Sequence, residues 1–312
     1  MSDPPADQPM AAPPRYNMLK GPGGLRAGWR LLIFFVILLP VGYGAIKISE
    51  SVAEGLHAGP LTPVGFTIFF GILICALLLV TWIIARIEDR SFADYGLPWR
   101  RAFCLRFWQG AAIGFASLTA LVVVLRLAGV LSFGPLALRG ADVWKYGALW
   151  SVPFFLTALL EEFFCLGYLL FTLTTGIGFW PAAIVISCLV GGGHYFNTGG
   201  HGLAPVAVTG LFLVACLTLR RTGDLWLPLG LHSAWNWGEM FFYGLPDSGE
   251  TVQGHLLSSS IHGPVWLTGG AFGPEASWLN IALLVIWWCS FSIWLRGAKY
   301  PNPAAIRNRS IR

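Results

Sequence analysis

Residues 149–173 read LWSVPFFLTALLEEFFCLGYLLFTL, an apolar run in which the only charged side chains are those of Glu161 and Glu162. A helix rises about 1.5 Å per residue, so this run is long enough to cross the roughly 30 Å hydrocarbon core of a bilayer. Ordinary soluble domains contain about 25% charged residues, whereas this chain contains 11% and is 55% hydrophobic, with a mean hydropathy of +0.66. The sequence therefore predicts an integral membrane protein with two carboxylates inside one of its spans.

Apolar segments of similar length recur along almost the whole chain. We predict an all-α polytopic membrane bundle of about eight transmembrane helices, because only helices and closed barrels satisfy the backbone inside lipid. The approximate bounds of these spans are 29–48, 65–85, 107–130, 146–173, 179–196, 203–219, 225–243 and 278–295.

The Lys and Arg residues are distributed unevenly between the connecting segments. With the N-terminus placed inside, 16 of the 20 basic residues fall on the cytoplasmic side, and the other four are Lys47, Arg126, Arg139 and Lys145. Cytoplasmic loops carry the positive excess in membrane proteins, so we predict that both termini are cytoplasmic. The net charge of +5 then follows from topology, and nucleic acid is not expected as a partner.

The two ends of the chain differ in composition from the middle. Residues 1–27 are rich in Pro and Gly and predict a flexible cytoplasmic tail. Residues 28–298 are expected to form the transmembrane domain, with a catalytic core at about 146–245, and residues 299–312 a basic cytoplasmic tail. The first apolar run begins near Trp29 and is long enough to remain as a span, so no cleavable signal peptide is predicted.

Polar groups inside the predicted spans collect in three places. They are Glu161 and Glu162 on the fourth span, His194 with Asn197 on the fifth, and His232, Asn236 and Glu239 on the seventh. An ionisable group at bilayer depth is costly unless it faces the bundle interior or a water cavity, so it indicates function by default. Any one of these groups alone is equally consistent with an interhelical hydrogen bond. Two carboxylates, two imidazoles and an amide on neighbouring spans favour a reactive site, whereas Glu239 approaches the outer end of its span and is interpreted as solvated.

Helical geometry constrains how these side chains are directed. His232 and Asn236 are four residues apart and share one helix face. Adjacent Glu161 and Glu162 differ by about 100° around their helix, so one can face a reactive centre while the other holds a neighbouring helix.

The depths of these groups along their helices differ. The rise per residue puts Glu161, His232 and His194 about 7, 12 and 20 Å from the inner membrane boundary. Helix tilt, different span boundaries or a cavity open to the cytoplasm would bring them together. Three glycines at 191–193 would let another helix approach closely, and we expect that helix to be the glutamate-bearing span.

These residue types suit amide hydrolysis in two ways. A desolvated carboxylate beside an imidazole can take a proton from water and pass it to a leaving amine, while another imidazole and an amide donate to the oxyanion. Alternatively Glu161, His194 and His232 could hold a divalent metal ion such as zinc with a bound water. The residues alone leave both assemblies open.

The same three places resemble the motifs of a known family. The matching features are Glu161-Glu162 followed by Gly167, His194 with Asn197, and RRTGDLWLPLGLHSAWN at 220–236. In order and spacing they are similar to the CPBP intramembrane proteases, the group of type II CAAX prenyl proteases and bacteriocin-processing (Abi) proteins. The likeness extends over about residues 85–245. The family pattern has an arginine where this chain has Leu166 and a phenylalanine where it has Val190.

The resemblance implies a role for each matching residue. It makes Glu161 the base that activates water, assisted by His194, and Glu162 a supporting carboxylate. It makes His232 and Asn236 the pair that stabilises the oxyanion. It also implies an endopeptidase of the bacterial plasma membrane, a metalloprotease if the ion is present, acting in contact with membrane lipid on a membrane-associated or lipidated peptide or protein.

Two other functions fit the same residues. Leu166 at the family's arginine position favours a catalytically inactive CPBP-type scaffold or a bacteriocin immunity protein, because a buried guanidinium would otherwise pair with a carboxylate. Intramembrane carboxylates also build the proton relays of transporters. The sequence shows no repeated pair of interrupted helices of the kind that forms transporter sites, which disfavours that class.

Overall fold

The helices of this chain form a bundle, as the apolar segments predict. The computed structural model describes residues 18–21 and 24–302, so most of the predicted tails at 1–27 and 299–312 lies outside the described residues. The helices are α1 (Ala27–Gly55), α2 (Pro63–Ile87), α3 (Leu105–Leu127), α4 (Ala141–Phe163), α5 (Leu170–Ile177), α6 (Phe179–Gly193), α7 (Ala204–Thr222), α8 (Trp226–Asn236), α9 (Val265–Thr268) and α10 (Trp278–Trp294). Four two-residue strands form two antiparallel pairs, β1 (Lys20–Gly21) with β2 (Gly24–Leu25), and β3 (Leu131–Ser132) with β4 (Ser260–Ile261). The predicted all-α polytopic bundle is confirmed.

Six helical segments among the described residues are long and apolar enough to cross a membrane. They are Ala27–Gly55, Pro63–Ile87, Leu105–Leu127, Ala141–Ile177, Phe179–Phe196 and Ala204–Thr222. The two other predicted spans also fold as helices, one running from Trp226 through a π-helical turn to Phe242, the other being the 17-residue α10. Both are shorter than the roughly 20 residues of a typical span, so the count of eight stays a prediction.

Most of the basic connecting segments meet at one end of the bundle, which we call the basic end and define by residues 86–106, 220–225 and 295–302. The backbone N–H of Leu225 donates to Gly96 at 2.8 Å. Arg101 pairs with Asp224 at 3.0 Å. This grouping places the Arg-rich segments on one side, as the charge distribution predicts for a cytoplasmic face.

The remaining connections meet at the opposite end, which we call the open end and define by residues 56–62, 128–140, 197–203 and 243–277. The backbone N–H of Gln253 donates to Leu61 at 3.0 Å. The Asn197 side-chain amide donates to the Ser248 carbonyl at 3.0 Å. These bonds link the long connection before α10 to the connection between α1 and α2 and to the end of α6.

Helices α3 and α8 are in backbone contact because glycines face the partner helix. A Cβ atom at Gly110 would lie 2.0 Å from the Leu227 carbonyl oxygen. One at Gly230 would lie 2.0 Å from the Phe107 carbonyl oxygen. Small residues permit this approach in membrane bundles, and it fixes the position of α8, which carries His232.

A buried charge network joins α1, the end of α2 and the turn after α4. Arg30 donates to both carboxylate oxygens of Glu88, from Nε at 2.8 Å and from Nη2 at 2.5 Å. The hydroxyls of Tyr168 and Tyr95 donate to the same carboxylate at 2.8 and 3.2 Å. Glu88 is only 7% exposed, and four donated hydrogen bonds offset the cost of burying its charge.

Candidate active site

The helix that carries the two glutamates becomes irregular just after them. Residues Phe164–Leu169 form a π-helical turn, with Gly167 at φ −79° and ψ −110°, outside the helical range. A Cβ atom at Gly167 would lie 2.8 Å from the Phe163 ring, which explains the need for glycine there. π-helical turns redirect a helix and are frequent at functional sites.

Glu161 and Glu162 point in different directions. The Glu161 side chain is 37% exposed and lines a cavity. The Glu162 side chain is 1% exposed and faces α8, with Oε1 3.3 Å from Nδ1 of His232. Its Oε2 makes no hydrogen bond within the described part of the chain.

His232 lies between the two carboxylates. Its Nε2 is 3.7 Å from Oε2 of Glu161, on the side opposite to its contact with Glu162. A carboxylate oxygen accepts hydrogen bonds, so Nδ1–H donates to Glu162 and Nε2 is directed towards Glu161 and the cavity. The sequence placed Glu161 and His232 at different depths, yet their side chains are neighbours. The helical segment that carries Glu161 runs from Ala141 to Ile177 over 37 residues. It is longer than a perpendicular span requires, so a tilt of this segment accounts for the difference in depth.

His194 reaches the same cavity from α6. It opens a 3₁₀ turn directly after α6, and its Nδ1 is 2.8 Å from the carbonyl oxygen of Val190. A carbonyl only accepts, so Nδ1 carries the proton and Nε2 of the neutral ring is an acceptor. Among the described residues no hydrogen bond or ion pair joins His194 to Glu161.

The glycines before His194 have a different neighbour from the one predicted. A Cβ atom at Gly191 would lie 2.1 Å from Oγ1 of Thr209 and 2.4 Å from the Pro205 carbonyl, so it meets α7. Gly192 and Gly193 have open space at the Cβ position. The expected packing of this segment on the glutamate-bearing span is wrong, because α7 occupies that side of α6.

Asn236 is held by two acceptors. With its amide nitrogen oriented towards them, it donates to the His232 carbonyl and to Oδ2 of Asp247, both at 3.1 Å. Both amide hydrogens are then used, and the oxygen remains for the cavity. This geometry suits Asn236 to positioning Asp247 beside His232 more than to donating to an oxyanion.

Glu239 lies in a carboxylate cluster that the sequence did not indicate. It is fully buried, so its interpretation as a solvated group is wrong, and Trp235 Nε1 donates to its Oε2. Its carboxylate lies within 4.8 Å of those of Asp247 and Glu275, both in the connection before α10. Burial raises the pKa of Asp247 and of Glu275, and repulsion from Glu275 adds to the effect on Asp247.

The residues predicted to hold a metal ion are not gathered around one point. Among the described residues, the one group of three or more His, Cys, Asp or Glu whose ligand atoms lie within 4.8 Å of one another is Glu239, Asp247 and Glu275. Glu161 and His232 are neighbours, but His194 does not complete a set with them. The three donors in this arrangement do not fit a zinc centre, which needs all its ligands about 2 Å from the ion.

Leu166 takes the position of the family's arginine in the π-helical turn. Its side chain is fully buried. Without a guanidinium at this position, Glu162 has His232 as its charged partner. The second carboxylate is therefore anchored to α8.

The cavity has a volume of about 770 Å³, with a polar wall and an apolar wall. Glu161, His194, His232 and Asn236 line it, and Glu162 lies behind His232. The apolar wall comes from α2 and α4 and contains Phe66, Phe69, Phe70 and Phe154. The size and composition are those of a site for a peptide or a small organic group.

A family model described as Rce1-like, type II CAAX prenyl endopeptidase, matches residues 143–238. The match begins in α4 and ends just after α8, and it contains all five residues predicted for the site. It supports membership of the CPBP family, which confirms the prediction from the motifs. No curated protein and no solved structure gives a significant match to the chain.

Proposed function

We propose that this chain, a member of the CPBP intramembrane protease family, is an endopeptidase that hydrolyses a membrane-associated peptide with a water activated by Glu161. The observation that carries the proposal is the different surroundings of the two adjacent glutamates. Glu161 is open to the cavity, whereas Glu162 is buried behind His232. One carboxylate is accessible to water and substrate, and the other fixes the imidazole beside it.

The reaction follows from these positions. Glu161 takes a proton from water, and the hydroxide adds to the peptide carbonyl carbon. His194 Nε2, an acceptor, orients the attacking water. His232, with a proton on each ring nitrogen, donates through Nδ1 to Glu162 and through Nε2 to the oxyanion. Glu161 then passes its proton to the leaving nitrogen, and the C–N bond breaks to give a carboxylic acid and an amine.

The family match supports a protease and a peptide or protein substrate in a membrane context. Catalysis by the glutamate, the roles of the individual residues and location in a bacterial plasma membrane are parts of the proposal. The proposed reaction uses no metal ion, because Glu161, His194 and His232 do not form a common coordination site among the described residues. The requirement for a divalent ion remains a prediction that a chelator tests directly.

The test compares Glu161→Gln with wild type on a library of membrane-tethered peptides, with and without chelator. We expect the replacement to lower the cleavage rate by about 10²–10⁴-fold, the usual contribution of a general base. Glu50→Gln is the matched control, because Glu50 lines the same cavity, is half exposed and pairs with Lys47 at the surface. Cleavage by folded Glu161→Gln at the wild-type rate would overturn the proposal.

An inactive scaffold or immunity protein is the second candidate, and the observation in its favour is Leu166. It predicts that neither wild type nor Glu161→Gln cleaves any peptide, although both are folded. Its cellular phenotype would then be insensitive to Glu161→Gln.

A further inference from the structure

The position of the cavity along the bundle indicates which side of the membrane supplies the substrate. Its rim is formed by the end of α1 with the connection that follows it, and by the connection before α10, including His57, Leu61, Ser248 and Glu250. These segments belong to the open end. Within the described residues, none of the segments that define the basic end contributes to its lining.

The basic end and the open end of the bundle differ in their number of Lys and Arg residues, and this difference governs how a membrane protein is oriented in the bilayer. Among the described residues, 12 of the 16 Lys and Arg residues fall on the side of the basic end, and four fall on the other side. Positive residues in short loops stay on the cytoplasmic side during insertion. The mouth of the cavity is therefore on the face away from the cytoplasm.

The lining also has a charge preference. Six carboxylates line the cavity, from Glu50, Glu54, Glu161, Asp247, Glu250 and Glu275. No Lys or Arg is among the described residues that line it. A substrate segment ending in a free carboxylate finds six carboxylates and no Lys or Arg there, whereas a segment with Lys or Arg finds several anionic partners.

We propose that the substrate is a neutral or basic peptide segment that enters from the extracytoplasmic face of the membrane. The apolar wall of phenylalanines accepts an aliphatic or aromatic side chain beside the cleaved bond, and the acidic rim attracts basic flanking residues. The statement about the substrate rests on the proposed function. The statement about the side of entry rests on charge and geometry alone.

The side of entry is tested by labelling, without any activity. In intact cells, a membrane-impermeant maleimide should modify the thiol introduced by Thr251→Cys, since Thr251 is exposed at the open end. The native Cys104, exposed at the basic end, is the internal control and should react only after permeabilisation. The reverse pattern, with Cys104 labelled first, would overturn the proposed orientation.

The substrate class is tested with one cleavable peptide on a single-span anchor, placed on either side of the membrane and flanked by either Lys or Asp. We expect cleavage only on the extracytoplasmic side, with the Lys version cleaved at least about tenfold faster, a difference of about 1.4 kcal/mol. Glu250→Lys, at the exposed rim, should reduce that ratio several-fold.

The outcomes separate the two proposals. Cleavage of the cytoplasmic version alone, or a preference for Asp, overturns this inference and leaves the protease intact. If the labelling is as expected but neither version is cleaved, the side of entry stands, whereas the substrate class falls with the proposed function.

Discussion

Two carboxylates of this bundle, those of Glu88 and Glu161, differ in how many hydrogen bonds their oxygens accept. Glu88 accepts four hydrogen bonds from Arg30, Tyr95 and Tyr168 and has no contact with the large cavity. The nearest charged contact of Glu161 among the described residues is Nε2 of His232, at 3.7 Å, and its side chain opens to that cavity. The first arrangement leaves no acceptor for a ligand, whereas the second leaves a carboxylate that can bind water.

The difference shows that a carboxylate inside a membrane bundle does not by itself indicate chemistry. Glu88 holds α1 and α2 to the turn that follows the glutamate pair, so its role is structural. Glu162 is intermediate, with one oxygen on His232 and the other without a hydrogen bond among the described residues. The completeness of hydrogen bonding separates structural from reactive acids better than depth in the membrane does.

The largest expected effect is that the same Glu-to-Gln replacement lowers stability at position 88 and lowers the cleavage rate at position 161. Glu88→Gln should lower the free energy of unfolding by about 3–5 kcal/mol, because it leaves the Arg30 guanidinium buried without its charge partner. Glu161→Gln should change stability by less than about 0.5 kcal/mol and lower the cleavage rate by about 10²–10⁴-fold. Thermal unfolding in detergent and cleavage rate per folded molecule measure the two quantities. Equal losses of stability in both variants would contradict the assignment of a structural role to Glu88 and a chemical role to Glu161.

His194→Gln is expected to lower the cleavage rate by about 10–100-fold with little effect on folding. The reason is that His194 lines the cavity, and the contact of its Nδ1 with the Val190 carbonyl leaves Nε2 as the acceptor. His201→Gln is the control, because His201 is exposed nearby and does not line the cavity. A similar loss in both variants would show that the segment, rather than the imidazole, matters.

The smallest effect concerns the carboxylate cluster at the open end. Burial raises the pKa of Glu275 above its ordinary value of 4.5. Between the ordinary pKa of the unfolded chain and the raised pKa of the folded protein, the folded protein binds more protons. The free energy of unfolding therefore falls as the pH rises through this interval. Glu275→Gln keeps an acceptor for Ser248 and removes that loss, so we expect a melting temperature about 2 °C higher at pH 8.

At pH 4 most of this difference should be lost, because Glu275 is then largely protonated in both states. Glu50→Gln provides the exposed control and should show no such dependence. A variant less stable than wild type at pH 8 would contradict the expectation and would indicate that a bound cation neutralises Glu239, Asp247 and Glu275.

Much of the site was predictable because its residues belong to regular helices. Periodicity alone required Glu161 and Glu162 to diverge, and the motif spacing brought His194 and His232 into the same set. Asp247 and Glu275 escaped prediction because they lie in a long polar connection, where carboxylates are normally solvated. Glu88 and Arg30 also escaped, since each lies near a helix end and pairs with a residue far away along the chain.

The sequence by itself determined the class of the protein and predicts its orientation, because span length and the distribution of basic residues act locally along the chain. It also predicts the residue types that we propose for the reaction. Only the tertiary structure decided which carboxylate opens to the cavity, which nitrogen of each histidine is engaged, and at which end the cavity opens. These properties depend on contacts between helices distant in sequence, where glycine-mediated packing and hydrogen-bond geometry decide the outcome.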